Sequence, residues 1–136
     1  MRHLLITFIM FNSLTLFAEQ NQLNFQNLSG TYDLHLYFAT DKPFKDQLVL
    51  KVDSENQISG SMIVPNDFTV NISNFTLQGT SFSFEYVVPK NDYRPQDIHV
   101  RYFGHFYDKS FKSYTGFAQI KNSQEFFANF VGFKIP

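Results

Sequence analysis

The chain contains no cysteine among its 136 residues. That excludes a disulfide framework, thiol chemistry, cysteine-ligated zinc and a lipid-modified cysteine behind a leader. Charge is sparse as well, with 11 Lys and Arg set against 12 Asp and Glu. No basic face follows from that balance, which argues against nucleic acid, whose binding draws on several Lys or Arg contacts to phosphate. Catalytic signatures are missing: there is no nucleophile elbow, phosphate-binding loop, His-Glu-x-x-His or calcium loop. Beyond the first 18 residues no stretch sustains the 3.6-residue period of an amphipathic helix.

What is present begins with an apolar leader. Arg2 and His3 precede the run Leu4 to Phe17, and cleavage after Ala18 makes residues 1–18 a signal peptide. The run falls short of the roughly 20 apolar residues of a transmembrane helix, so no membrane span remains after cleavage. If the stretch is kept, it serves as an anchor instead. The mature chain is expected to be secreted or periplasmic. It has 118 of the 136 residues, enough for one domain, and a net charge of −2 once Arg2 is lost. Its 15 Phe and seven Tyr supply the large apolar areas that must hold a fold without cross-links.

Residues 19–27, rich in Asn and Gln, read as a flexible arm. From Gly30 the pattern is period two. Tyr32, Leu34, Leu36 and Phe38 share one face and Asp33, His35 and Tyr37 the other, as in a half-buried strand. Similar runs follow: Leu48 to Val52 from about Gln47, Ile58 to Val64, Phe68 to Ile72, a brief Phe75 to Leu77, and Phe82 to Val88. Ile98 to Phe106, Tyr114 to Ile120 and Phe126 to Phe130 complete the series. Turn residues separate them at intervals of about ten, so sequential strands are expected to pair as antiparallel hairpins. The fold class is all-β, an up-and-down meander of eight or nine strands over residues 28–136. A closed barrel is favoured over a sandwich because closure removes exposed edges. Gly104 lies within a strand pattern, where a bend or bulge is expected.

The residues Leu28-Ser29-Gly30-Thr31-Tyr32 resemble the Gly-x-Trp opening of the calycins, the lipocalin, fatty-acid-binding and avidin-type barrels. In those barrels the aromatic plugs one end; this chain has no Trp, and the position is Tyr32. The match covers about five residues and extends to the strand spacing. It implies a barrel whose interior holds one small ligand.

Two functional readings follow. In the first, a non-catalytic binding module takes a small apolar or aromatic ligand among the inward residues Tyr32, Leu34, Phe82, Phe84, Tyr86, Tyr102 and Phe106. The same rings could equally fill the barrel and leave it solid. In the second, protein–protein contact or homo-oligomer formation uses an outer aromatic face, because Phe103, Phe117, Phe127, Val131 and Phe133 lie on the parity opposite the core. A covering N-terminal arm, or bulges at Gly104, Gly116 and Gly132 that break the parity, would explain that face without a partner. No cofactor or metal is implied. His99 and His105, six residues apart on one strand, stand about 20 Å from one another. The linker Pro89 to Pro95, carrying Lys90, Asp92 and Arg94, is either a solvated connector or part of a site at the barrel rim. Glu85 and Arg101 are placed to pair across strands.

Overall fold

A computed structural model describes residues 24–38, 42–123 and 126–136, with Phe126 and Phe127 described by backbone alone. The signal peptide expected over 1–18 and the first arm residues, 19–23, lie outside the described residues. Ahead of the first strand Phe25–Leu28 wind into a short 3-10 helix, and Leu28 is fully buried.

Nine antiparallel strands follow: β1 (Gly30–Tyr37), β2 (Phe44–Val52), β3 (Ile58–Val64), β4 (Phe68–Asn71), β5 (Ser73–Gln78), β6 (Ser81–Val88), β7 (Ile98–Phe106), β8 (Ser113–Ile120) and β9 (Phe126–Lys134). Each pairs with its sequence neighbour except across β4 and β5, and β1 also pairs with β9, so the meander curls into a nearly closed barrel. The seam falls between β4 and β5. These strands are one extended stretch that changes partner: β4 pairs with β3, the Ile72 amide still donates to Gly60 at 3.0 Å, and Ser73 already faces Glu85 on β6. Asn74 makes the change with a φ of 52°, in the left-handed region where Asn is among the better tolerated side chains.

A clamp on the outer wall holds the seam to the rest of the barrel. Asn74 Nδ2 donates to Glu85 at 3.1 Å, and the same carboxylate takes Arg101 Nε at 2.7 Å and Lys121 Nζ at 2.8 Å. The hydrogen bond from Lys121, then that from Arg101, hold Glu85 down to about 2. The Glu85–Arg101 pairing expected from the sequence is therefore present, with Lys121 and Asn74 added to it.

Inside, the period-two pattern is obeyed along the barrel. Tyr32, Leu34 and Leu36 on β1, Phe82, Phe84 and Tyr86 on β6, and Val100, Tyr102 and Phe106 on β7 are all buried, and no charged residue is buried among the described residues. The expected irregularity at Gly104 is absent. Pairing runs unbroken from Phe103↔Phe117 through Gly104↔Gly116 to His105↔Thr115, and register shifts fall instead at Ser73/Thr76 and Ala118/Gln119. Gly104, Gly116 and Gly132 make room for rings. Each lies opposite an aromatic on the next strand: Phe82, Phe130 and Tyr114 respectively. A Cβ would come within 2.1 Å of the Phe82 ring at Gly104 and of the Tyr114 ring at Gly132, and within 2.5 Å of the Phe130 ring at Gly116. Parity is thus intact, and Phe103, Phe117 and Phe133 do face outward.

One end of the barrel is closed. The 3-10 helix, the Asp108–Phe111 turn and the rings of Tyr32, Phe82, Phe106 and Tyr114 converge there. Ring centroids lie 5.5 Å apart for Tyr32–Tyr114 and 4.9 Å for Phe82–Phe106. The Tyr32 hydroxyl stands 2.9 Å from both the Leu28 and the Phe111 carbonyl oxygens and shares its proton between them. One phenol therefore ties β1 to the helix before it and to a turn near the far end of the chain. Phe111 holds a φ of 56°, unusual for a bulky residue, and in that pose its ring is buried while its carbonyl meets Tyr32. Lys134 crosses over the same end, with its Nζ 2.6 Å from the Asn27 carbonyl. Its stem passes above Gly30, whose φ of 149° and lack of a Cβ let it through.

Two tyrosines a ring's width apart give opposite expectations. The Tyr32 hydroxyl bridges two buried carbonyls, whereas the equally buried Tyr114 hydroxyl has no hydrogen-bond partner among the described residues. Tyr32→Phe should lower stability by about 1–3 kcal/mol, while Tyr114→Phe should leave it unchanged or raise it by about 1 kcal/mol. Urea melts of the two variants beside the parent check both.

Candidate functional site

The end opposite Tyr32 is open. Here β1 ends, β2 and β4 begin, β6 ends, and the linker before β7 crosses the rim. A cavity of about 310 Å³ occupies this mouth. Leu36, Phe38, Val64 and Val88 give it apolar walls, Phe44 and Phe68 stand at its sides, and Tyr86 also lines it. The rings meet in pairs: Phe38 and Phe44 edge to face at 5.1 Å, Phe68 and Tyr86 tilted at 6.3 Å. Phe44 is 60% exposed, a large aromatic side chain left at the rim of an apolar hollow.

Three charged side chains complete the lining, Asp46, Asp67 and Arg94. Arg94 comes from the Pro-rich linker, which is folded back on itself: Asn91 and Arg94 exchange backbone hydrogen bonds at 2.8 and 3.1 Å. Its guanidinium is held by three groups. Nε donates to the Pro89 carbonyl at 2.7 Å, Nη2 pairs with Asp67 at 3.3 Å, and the group lies 5.7 Å from the centre of the Phe68 ring. Asp46 is different. It sits on the inward row of β2 with Phe44, Leu48 and Leu50, opposite Leu34 on β1. Among the described residues its carboxylate has no hydrogen-bond or ion-pair partner. Burial, and then the nearby Asp67 carboxylate, push it up to about 6.

Deeper in the barrel the space is taken by rings. The Tyr86 hydroxyl lies 3.2 Å from that of Tyr102, and both phenols are pushed above their ordinary range chiefly by burial, Tyr86 to about 12. Tyr102 stacks on Phe84 at 4.9 Å and touches Phe130 at 5.1 Å, and Phe84 continues the stack to Phe82. Of the seven inward residues named from the sequence, Tyr32, Leu34, Phe82, Phe84, Tyr102 and Phe106 are therefore packed against one another or their neighbours. Tyr86 alone of them lines the mouth.

The outward residues fall differently. Phe103 and Phe117 are register partners on β7 and β8 and stack at 5.2 Å, with the Arg101 guanidinium 5.8 Å from the Phe103 ring. Phe133 is 50% exposed and meets His35 edge to face at 6.2 Å. The side chain of Phe127 lies outside the described residues. His105 Nδ1 pairs with the Thr80 hydroxyl at 3.2 Å, and no group of three or more His, Cys, Asp or Glu suited to a metal occurs among the described residues.

The period-two reading missed Asp46 because it began the second strand at Gln47. Carried back past Leu48 it places Asp46 and then Phe44 inside, so the signal was an acid on an apolar row. Comparison of the chain with family models, with curated proteins and with solved structures finds no match.

The raised Asp46 sets a pH dependence. Its folded value of about 6 exceeds its ordinary 3.8, so the folded state holds the proton more tightly. The resulting stabilisation is fully present below about 3.8 and is lost as pH rises through about 6. Asp46→Asn removes that dependence. Because the group is partly screened by solvent, the variant should exceed the parent by about 1 kcal/mol near pH 7.5, with the difference vanishing towards pH 4. Denaturant melts across that range measure it.

Proposed function

We propose that this chain is an exported, non-catalytic binding module that takes one small, largely apolar or ring-containing molecule at the barrel mouth. The observation that carries the reading is the contrast between the two ends: one is stoppered by Tyr32 and its neighbours, the other opens into an aromatic-walled hollow. Its volume of about 310 Å³ falls at the small end of the range for ligand pockets, roughly 300–1,000 Å³. The calycin-like opening at Gly30-Thr31-Tyr32 supports the same reading, with the ligand held nearer the rim than that resemblance implies. The leader over residues 1–18 supports export.

The neutral dye N-phenylnaphthylamine tests this. Its fluorescence should rise saturably on addition of the protein, with a dissociation constant in the micromolar range. Val64→Trp, which fills the hollow from β3, should weaken binding at least tenfold while leaving the β-sheet circular dichroism unchanged, about 1.4 kcal/mol or more of lost binding. A dye that shows no saturable binding, or that binds the Trp variant equally well, removes the reading.

A second reading rests on the outer wall, where Phe117 and Phe133 are 38% and 50% exposed. They mark a face that joins a second copy of the chain. Sedimentation velocity at tens of micromolar should then show a dimer that Phe117→Asp reduces to a monomer, a charge at the centre of a small interface costing about 2 kcal/mol or more. A parent chain that sediments as a monomer ends this second reading.

A further inference from the structure

We propose that the mouth recognises molecules that carry a protonated amine beside an apolar body, with Asp46 as the counter-charge and the surrounding rings as walls. This rests on the reading of the mouth as a binding site and names the chemistry it selects.

The argument begins with charge. Asp67 and Arg94 answer one another across the rim, so the described lining retains one formal negative charge, that of Asp46. A carboxylate held in an apolar hollow without a partner is unfavourable until something supplies the missing positive charge. A ligand ammonium does so directly. An anionic ligand gains nothing comparable, because the Arg94 guanidinium is committed to Pro89, Asp67 and the Phe68 ring and would leave Asp46 facing a like charge. The walls favour the same choice. Phe38, Phe44, Phe68 and Tyr86 present ring faces and edges round the hollow, and aromatic faces attract cations within about 6 Å of their centres. A flat apolar body has rings to lie against, and its amine has one acid to reach.

Among the described residues few groups face Asp46. Asp67 comes from the turn before β4, Arg94 from the linker after β6, Tyr86 from β6 and Tyr102 from β7. β1, the residue after it and β3 bring the apolar Leu36, Phe38 and Val64 to the described lining, and Lys42 and Lys45 are exposed. Both phenols are held neutral by burial. Capture of an amine therefore follows ionisation of Asp46, and the ligand is released as the carboxyl takes up a proton.

Displacement of N-phenylnaphthylamine from the full chain by three matched indoles tests the proposal: tryptamine, the neutral tryptophol and the anionic indole propionate. Near pH 7.5 tryptamine should displace the dye at a concentration at least tenfold lower than tryptophol, with indole propionate weakest. Asp46→Asn should abolish the advantage of tryptamine over tryptophol, the two then displacing the dye at similar concentrations. Near pH 5 the parent should lose about tenfold of its tryptamine affinity and keep its tryptophol affinity, the fraction of a carboxyl near 6 that remains ionised there being roughly a tenth. The parent's pH series stands even if the Asn variant folds poorly. Tryptophol or indole propionate matching tryptamine near pH 7.5, or a tryptamine affinity indifferent to pH, overturns the amine inference while saturable dye binding upholds the mouth as a site. Loss of dye binding itself overturns the underlying reading instead.

Discussion

Three of the aromatic rings inside this small barrel fit only because the wall opposite them is bare. Phe82, Phe130 and Tyr114 each lie over a glycine of the adjacent strand, and at each of those glycines a Cβ would overlap ring atoms. The three positions share the part of the barrel between β6 and β9, where Gly104 and Gly116 are themselves paired. Ring and glycine form a unit: the ring covers backbone that would otherwise be exposed on the inner face, and the glycine lets the ring lie flat. Without cross-links of any kind, this close fit of ring on backbone is what the fold relies on. Interiors packed to crystal-like density tolerate little added volume, so substitutions at these glycines act on the whole inner stack.

From this packing the unequal ends follow. Rings crowd the end where the chain also supplies Leu28, Phe111 and the Tyr32 hydroxyl bridge, and that end is sealed. At the other end the inward row of β2 turns from Leu50 and Leu48 to Asp46 and the exposed Phe44, and β6 finishes with Tyr86 and Val88. Packing stops there because the residues become too few and too polar to fill the width of the barrel. The mouth is thus the remainder of the core, which explains why its walls are aromatic and why a carboxyl stands among them.

The architecture was legible because alternation is local. Each of Tyr32, Phe84 and Tyr102 could be assigned to the interior from neighbours two residues away, and the structure places all three there. The meaning of Gly104 was not local. Within a strand pattern a glycine signals either a bulge or a close approach by another group, and the ring that decides between them belongs to Phe82, some twenty positions earlier and on another strand. The mouth was hidden for a related reason. Asp46 belongs to a row whose alternation becomes clear only from Gln47, after Pro43, and Arg94 reads as part of a charged linker with no sign in the sequence that it reaches Asp67. Contacts between a hairpin turn and a distant loop leave no period in a sequence. The partner change at Ile72 was half visible, as a break at Ser73-Asn74 between two short strands. That the two halves form one wall segment shared by β3 and β6 emerges only when the sheet closes.

Because β1 starts and β9 finishes side by side at the sealed end, held by the Ile135 amide on the Thr31 carbonyl at 2.8 Å and by Lys134 on Asn27, the barrel has a built-in polarity. A tether joined just before Asn24 or just after Pro136 grips the molecule by its base. Coupled to a surface or fused to another domain, the protein would hold its aromatic opening outward, clear of whatever carries it.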